Sequence, residues 1–163
     1  MGDDRATITR RGLSALVALR YVWAAPATGV GLLAAGMWLL CGARARLVDG
    51  ALEVCGGALA RVVTRLPRDM SFSAITLGHV ILGLTPDVLD GVRRHEQAHV
   101  RQYERWGLLF FPLYAGASLV AWLCARRPYW DNHFERQARH EAGKERDAHR
   151  DQAVRCRVGD TSP

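Results

Sequence analysis

The rhythm of hydrophobic and polar positions changes several times along the chain. Tyr21 to Gly42 (YVWAAPATGVGLLAAGMWLLCG) runs 22 residues without a charge, long enough to span a hydrocarbon core as a helix. Arg10, Arg11 and Arg20 precede it, and Arg44 and Arg46 follow. Trp23 and Trp38 lie near its ends, where amphipathic rings favour the interface, and Pro26 with several glycines is better tolerated in a membrane helix than in a soluble one. The pattern predicts a basic segment over 1–20 and a single transmembrane helix over 21–42, hence a single-pass protein of the cell membrane. A cleaved signal peptide fits less well, because Arg20 interrupts the apolar run and no A-x-A site closes it. Arg5, Arg10, Arg11 and Arg20 on one side balance Arg44, Arg46 and Arg61 on the other, so the charge rule sets no orientation.

Beyond this segment the apolar runs become short and alternating. Leu47 to Val54 places Asp49-Gly50 between apolar pairs, a strong hairpin signal. Gly56-Gly57 marks a turn, Ala58 to Leu66 suits a strand or a short helix, and Ala74 to Gly83 is rich in β-branched residues between turn formers. A longer helix follows. Thr85 is its expected N-cap and Pro86 its first residue, Asp87 and Asp90 sit near the positive end of the dipole, and Gly107 follows Trp106 as a stop. The face through Val88, Val92, His95, His99 and Trp106 is expected to turn inward. Gly107 to Cys124 is a second apolar stretch of 18 residues, and Pro128 to Ala142 reads as a helix capped by Asp131 or Asn132. The fold class expected is α+β: an N-terminal transmembrane helix, a small sheet, a central helix, a further apolar helix and a last helix. The folded domain covers 46–142, and 143–163 are expected to form a charged, disordered tail, solvated and without apolar periodicity.

Composition sharpens this picture. With 49% hydrophobic residues in 163 the chain is not disordered, and it suffices for one core rather than two. Four cysteines are too few for a disulfide scaffold, and Cys41, Cys55, Cys124 and Cys156 lack C-x-x-C spacing, so unpaired thiols are expected. The net charge is +6, and of 22 basic residues all but Lys144 are arginine. Arginine suits phosphate and carboxylate, but a GC-rich genome also replaces lysine by arginine, so nucleic acid is not an expected partner.

His95-Glu96-Gln97-Ala98-His99 is H-E-x-x-H. On a helix two histidines four apart project from one face, so both imidazoles can bind one Zn²⁺. Glu96, beside the first histidine, stands where a carboxylate can take a proton from a metal-activated water. Six His and six Glu in 163 residues would yield this pattern by accident about 0.008 times. A zinc site needs a third ligand. Glu104 lies on the same helix but points away from the pair, which leaves Glu135 as first choice, then His140 and His133, with Glu141 also downstream. Tyr103, His133 and His140 are candidates for stabilising an oxyanion, and His79, within an apolar run, is expected to be a satisfied core histidine.

The order of an H-E-x-x-H helix, an intervening helix and an N-x-x-E helix resembles the gluzincin type of zinc metalloprotease, especially the small membrane-associated ones. ITLGHVILG, RRHEQAHVRQYERWG and YWDNHFERQA also resemble a family of short bacterial proteins with an N-terminal hydrophobic segment. The likeness covers Leu47 to Ala142. It implies a membrane-anchored metallopeptidase acting on a peptide or protein substrate. His95, His99 and Glu135 would be its Zn²⁺ ligands, Glu96 its general base, and the strand Ile75 to Ile81 the edge that pairs with substrate. Two features depart from the pattern. Arg93, Arg94 and Arg101 flank the motif, and the position four after Glu135, often an orienting Asp, is Arg139.

The resemblance constrains Gly107 to Cys124. If this segment crossed a bilayer, His95 and His99 would lie about 30 Å from Glu135, so a buried or membrane-surface helix is expected. The competing reading is a non-enzymatic membrane protein whose Arg-rich surface binds anionic lipid or nucleic acid, with the motif incidental or a structural metal site.

Overall fold

A computed structural model describes residues 3–66 and 73–159, with side chains over 18–66 and 73–148. The fold is α+β. Helix α1 (Asp3–Leu40) leads into β1 (Arg44–Val48), β2 (Ala51–Cys55) and the short α2 (Gly57–Val63). Strands β3 (Ala74–Leu77) and β4 (Val80–Gly83) follow, then α3 (Pro86–Trp106), a 3₁₀ turn (Gly107–Leu109), α4 (Phe110–Leu123) and α5 (His133–Gly159). The helix ends at Leu40, two residues short of the predicted Gly42, because Gly42 has φ 84° and turns the chain into β1. The predicted basic segment continues into the same helix from Asp3, and the side chains of Arg5, Arg10 and Arg11 lie outside those described.

The strands run in the order β1-β2-β4-β3. β1 and β2 form the hairpin that Asp49-Gly50 predicts: Val48 pairs with Ala51, and the two turn residues have φ 49° and 80°, both positive as a type I′ turn requires. β2 and β4 are parallel, whereas β3 and β4 are antiparallel. The single strand expected from Ile75 to Ile81 is therefore a second hairpin, broken at Gly78 (φ 62°). There a Cβ would lie 2.4 Å from the Thr28 backbone nitrogen and hydroxyl of α1. β3 is left at the sheet edge.

Two layers of helix cover the sheet. Along β2 and β4, Leu52, Val54, Val80 and Leu82 face α1 and α2, where Ala35, Trp38 and Ala60 meet them. The alternate residues Ala51, Cys55 and Ile81 pack against Leu89 and Val100 of α3, as the two-residue side-chain period dictates. Between them on the same face is Glu53, 1% exposed. Its carboxylate accepts from Arg46 Nε of β1 at 2.7 Å and from Arg93 Nε of α3 at 2.7 Å, and Asp90 joins both arginines. A buried carboxylate is tolerated when paired in this way, and the pairing ties the rotation of α3 to the sheet two residues before His95. Arg93 thus has a structural partner, as does Arg101, which pairs with Glu141 and Glu145 of α5.

Thr85 caps α3 by accepting from Val88 N, and Gly107 ends it, both as expected. The buried face runs through Leu89, Glu96, His99, Val100 and Tyr103, so Trp106, expected inside, is 37% exposed. α4 is exposed nearly all round, with only Phe110 and Ala121 buried. Its 14 residues continue from α3 through the 3₁₀ turn, and by length and composition Pro86–Leu123 contains a second candidate membrane span. Asn132 returns the chain: its amide donates to Tyr114 O at 3.0 Å and Ser118 Oγ at 2.7 Å, while its carbonyl accepts from Phe134 N and starts α5. α4 is thus tied to the start of α5. The predicted irregular tail instead continues α5 as far as Gly159. Residues 143–159 are rich in good helix formers, and Arg101 holds Glu141 and Glu145. Residues 160–163 lie outside those described.

α1 is docked against the domain on one side only. Ala24 and Ala27 are fully buried against Tyr103, Phe110 and Phe134. His79 is the satisfied core histidine expected. Its ring stacks on Tyr21 with centroids 4.1 Å apart, its backbone N donates to Thr28 Oγ1, and its Nε2 is 3.3 Å from Glu104 Oε1. The opposite stripe, Val22, Val30, Leu33, Met37 and Leu40, is exposed, Leu33 by 79% and Leu40 by 89%. By length and composition α1 could be a membrane span or a signal sequence. At Gly31 a Cβ would lie 2.5 Å from Leu77 O and 2.8 Å from Val80 Cβ. Gly31→Ala is therefore expected to cost about 1–3 kcal/mol by overpacking and to lower the melting temperature of the detergent-solubilised protein by about 3–8 °C. An unchanged melting temperature would contradict this docking.

Candidate metal centre

The residues that could hold a metal come from α3 and from the start of α5. His95 and His99 share one face of α3, and Glu135 lies in the first turn of α5, where the helix dipole favours a carboxylate. One ligand atom from each residue lies within 4.8 Å of the others. His95 Nε2 is 3.2 Å from His99 Nε2 and 3.2 Å from Glu135 Oε2, and His99 Nε2 is 3.2 Å from Glu135 Oε1. A tetrahedral sphere with bonds of about 2.0–2.1 Å has edges of about 3.3–3.4 Å, close to the spacing of the two histidine nitrogens, and each nitrogen faces a different oxygen of the Glu135 carboxylate.

The protons bear on the same site. His99 Nδ1–H donates to Gln102 Oε1 at 2.9 Å. The Gln102 amide is oriented by donating to Phe134 O at 3.1 Å and Gln137 Oε1 at 3.3 Å. In the neutral imidazole this leaves the lone pair on His99 Nε2, and although burial lowers the His99 pKa, the Glu135 carboxylate outweighs it and raises it above the usual histidine value. Glu135 is 3% exposed. Its Oε1 accepts from the Tyr114 hydroxyl at 2.9 Å. Its Oε2 has no hydrogen-bond partner among the described residues, because His95 Nε2, although 3.2 Å away, is not in hydrogen-bond geometry. Burial pushes the Glu135 carboxyl up, but His95 and His99 outweigh it and hold it well below the usual range, so it is ionised at neutral pH. A buried anionic oxygen beside two imidazole nitrogens is stabilised by positive charge among them, from the imidazoles' own protons or from a bound cation. The donor set suits a metal ion, and imidazole with carboxylate suits zinc among several divalent metals.

Glu96 is 5% exposed and does not belong to this triad. Its Oε2 accepts from Thr76 Oγ1 of β3 at 2.6 Å. Thr76 pairs with Ile81 in the sheet register, which turns its hydroxyl to the α3 side. Glu96 and the triad line a cleft of about 310 Å³ whose other walls include Ile75 and Leu77 of β3 and Phe110, Phe111 and Tyr114 around α4. Tyr129 also lines it, and burial with the nearby Glu135 pushes its phenol up to about 12, so it is a donor at neutral pH.

The other candidates lie elsewhere. His133 and His140 are exposed, Glu104 faces His79, and Glu141 is engaged by Arg101 and Gln137. Of the proposed oxyanion donors only Tyr103 lines the cleft. Sequence reasoning missed Gln102, although its place three residues after His99 puts it on the same helix face. Thr76, Tyr114 and Tyr129 carried no signal, because their roles depend on strand register and on how α4 returns. Arg139, where an orienting Asp was expected, lies 3.9 Å from Glu135 Oε2 and over the Trp130 ring, and Gln102 orients the ligand histidine instead. Among known proteins, no family model, curated protein or solved structure matches the chain.

Gln102→Leu removes the acceptor for His99 Nδ1–H and is expected to weaken zinc binding about 10–100-fold in competition with a chromophoric chelator. Gln102→Glu keeps an acceptor while also losing the bond to Phe134 O, and should retain affinity. Equal weakening by both variants would contradict the orienting role of Gln102.

Proposed function

We propose that the protein is a membrane-associated, zinc-dependent metallopeptidase. The observation that carries this reading is the convergence of His95, His99 and Glu135 at the end of a cleft that also holds Glu96 and the edge strand β3. A zinc ion held by the triad supplies Lewis acidity, which polarises a peptide carbonyl and makes water a better nucleophile at neutral pH.

The chain's own residues do the rest. Glu96, held by the Thr76 hydroxyl, accepts the proton of the attacking water at its carboxylate and delivers it to the leaving nitrogen. The free edge of β3 offers backbone donors and acceptors to an extended peptide, and Phe110, Phe111 and Ile75 receive apolar side chains. Tyr129 and Tyr103, both in the cleft wall, are the donors available for charge developing on the carbonyl oxygen. The exposed apolar stripe of α1 and the exposed surface of α4 fit contact with lipid. Binding of a polyanion through a general Arg-rich surface has less support, since Arg46, Arg93 and Arg101 are engaged in ion pairs within the protein.

Purified protein should carry about one zinc per chain by elemental analysis. His95→Ala and Glu135→Ala should lose it, whereas Glu96→Gln should keep it and lower peptide hydrolysis at least 100-fold. Hydrolysis surviving in Glu96→Gln would exclude Glu96 as the base, and wild type without stoichiometric metal would overturn the reading.

A further inference from the structure

A second groove of about 590 Å³ between α3 and α5 shares His95 and Tyr129 with the triad's cleft as walls. The two spaces differ in chemistry. The first is walled by aliphatic and aromatic side chains, while the second is lined by Arg93, Arg94, Arg139 and Arg146. Its one acidic residue, Asp90, is already taken by Arg46 and Arg93.

The arginines are not equally committed. Arg93 is held by Glu53 and Asp90. Arg139 donates to Trp130 O and stacks over the Trp130 ring, which fixes its guanidinium at the mouth of the groove. Arg94 is half-buried and Arg146 exposed, and neither has an ion-pair partner among the described residues. Arg94 and His95 line the same groove, so a group seated there borders one residue of the triad. Guanidinium groups with their donors unspent are complementary to carboxylate, which they can bind with two parallel hydrogen bonds.

We propose that this groove is a substrate subsite for a carboxylate, so that the peptide crossing the triad carries an apolar residue on the β3 and α4 side and an acidic residue on the Arg94 side. Arg94 and Arg146 provide the charge, with Arg139 as a preset third donor. The proposal rests on the peptidase reading and names its substrate class. It also gives a role to Arg94, the one arginine beside the motif without an ion-pair partner among the described residues.

The test uses the full chain as Glu96→Gln, purified in a nonionic detergent, with binding followed by fluorescence anisotropy so that no turnover is needed. The probes are a fluorescein-labelled peptide, Leu-Phe-Glu-Asp-Glu, and its neutral counterpart, Leu-Phe-Gln-Asn-Gln. The acidic peptide is expected to bind roughly tenfold or more tightly, with the advantage shrinking as salt rises. Arg94→Gln should remove most of that advantage and Arg146→Gln part of it, with zinc content and helicity unchanged in both. Equal binding of the two peptides, or a preference that survives Arg94→Gln in a folded, zinc-loaded protein, overturns the proposal. If Arg94→Gln instead weakens binding only to vesicles containing phosphatidylglycerol, the groove serves a lipid headgroup and the proposal is likewise overturned. Wild-type protein that cleaves neither peptide contradicts the peptidase reading while the binding preference stands or falls on its own. Cleavage of both at equal rates contradicts the subsite alone.

Discussion

A buried, ionised carboxylate held against two imidazole nitrogens needs positive charge beside it, and this is the constraint around which the domain is built. His99 Nε2, His95 Nε2 and the Glu135 carboxylate meet at 3.2 Å spacings, with Glu135 buried and ionised. Other parts of the fold fix where these groups stand. Gln102 fixes the His99 tautomer. The Tyr114 hydroxyl holds one oxygen of Glu135, and Asn132 ties the start of α5 to the middle of α4.

Seen this way, the apolar helix between the two halves of the site has a structural task. α4 is too exposed to be a core helix, yet it supplies Tyr114 to Glu135, Ser118 to Asn132, and with Phe110 a wall of the cleft. The docking of α3 on the sheet is equally specific. The pair Glu53–Arg93 locks its rotation, and that rotation brings Glu96 against Thr76 of the edge strand. Charge buried on one side of the helix thereby positions chemistry on the other.

Much of this was legible in the sequence where the signal is local. Thr85, Pro86 and Gly107 mark both ends of α3 through capping and backbone restriction, Asp49-Gly50 fixes a two-residue turn, and H-E-x-x-H places two imidazoles on one face. The relation between Glu135 and that face was open to inference from order along the chain, while its partners were not. Thr76 and Tyr114 act through register and return geometry, which periodicity does not encode. The hairpin at Gly78 was missed because Ala74 to Gly83 is apolar throughout, and its break is imposed by α1 pressing on that glycine. Arg93 looked like a departure from a zinc motif because its partner, Glu53, lies forty residues away in sequence. The last twenty residues lack an apolar stripe, so the helical continuation of α5 rests on intrinsic propensity and on Arg101.

The central claim is that the triad holds one metal ion. Crystals of the full-length protein purified with zinc, measured on both sides of the zinc absorption edge, test it most directly. The account predicts a single strong anomalous peak bounded by His95 Nε2, His99 Nε2 and the Glu135 carboxylate. No peak there, or zinc bound by other side chains while these three keep to themselves, would contradict it.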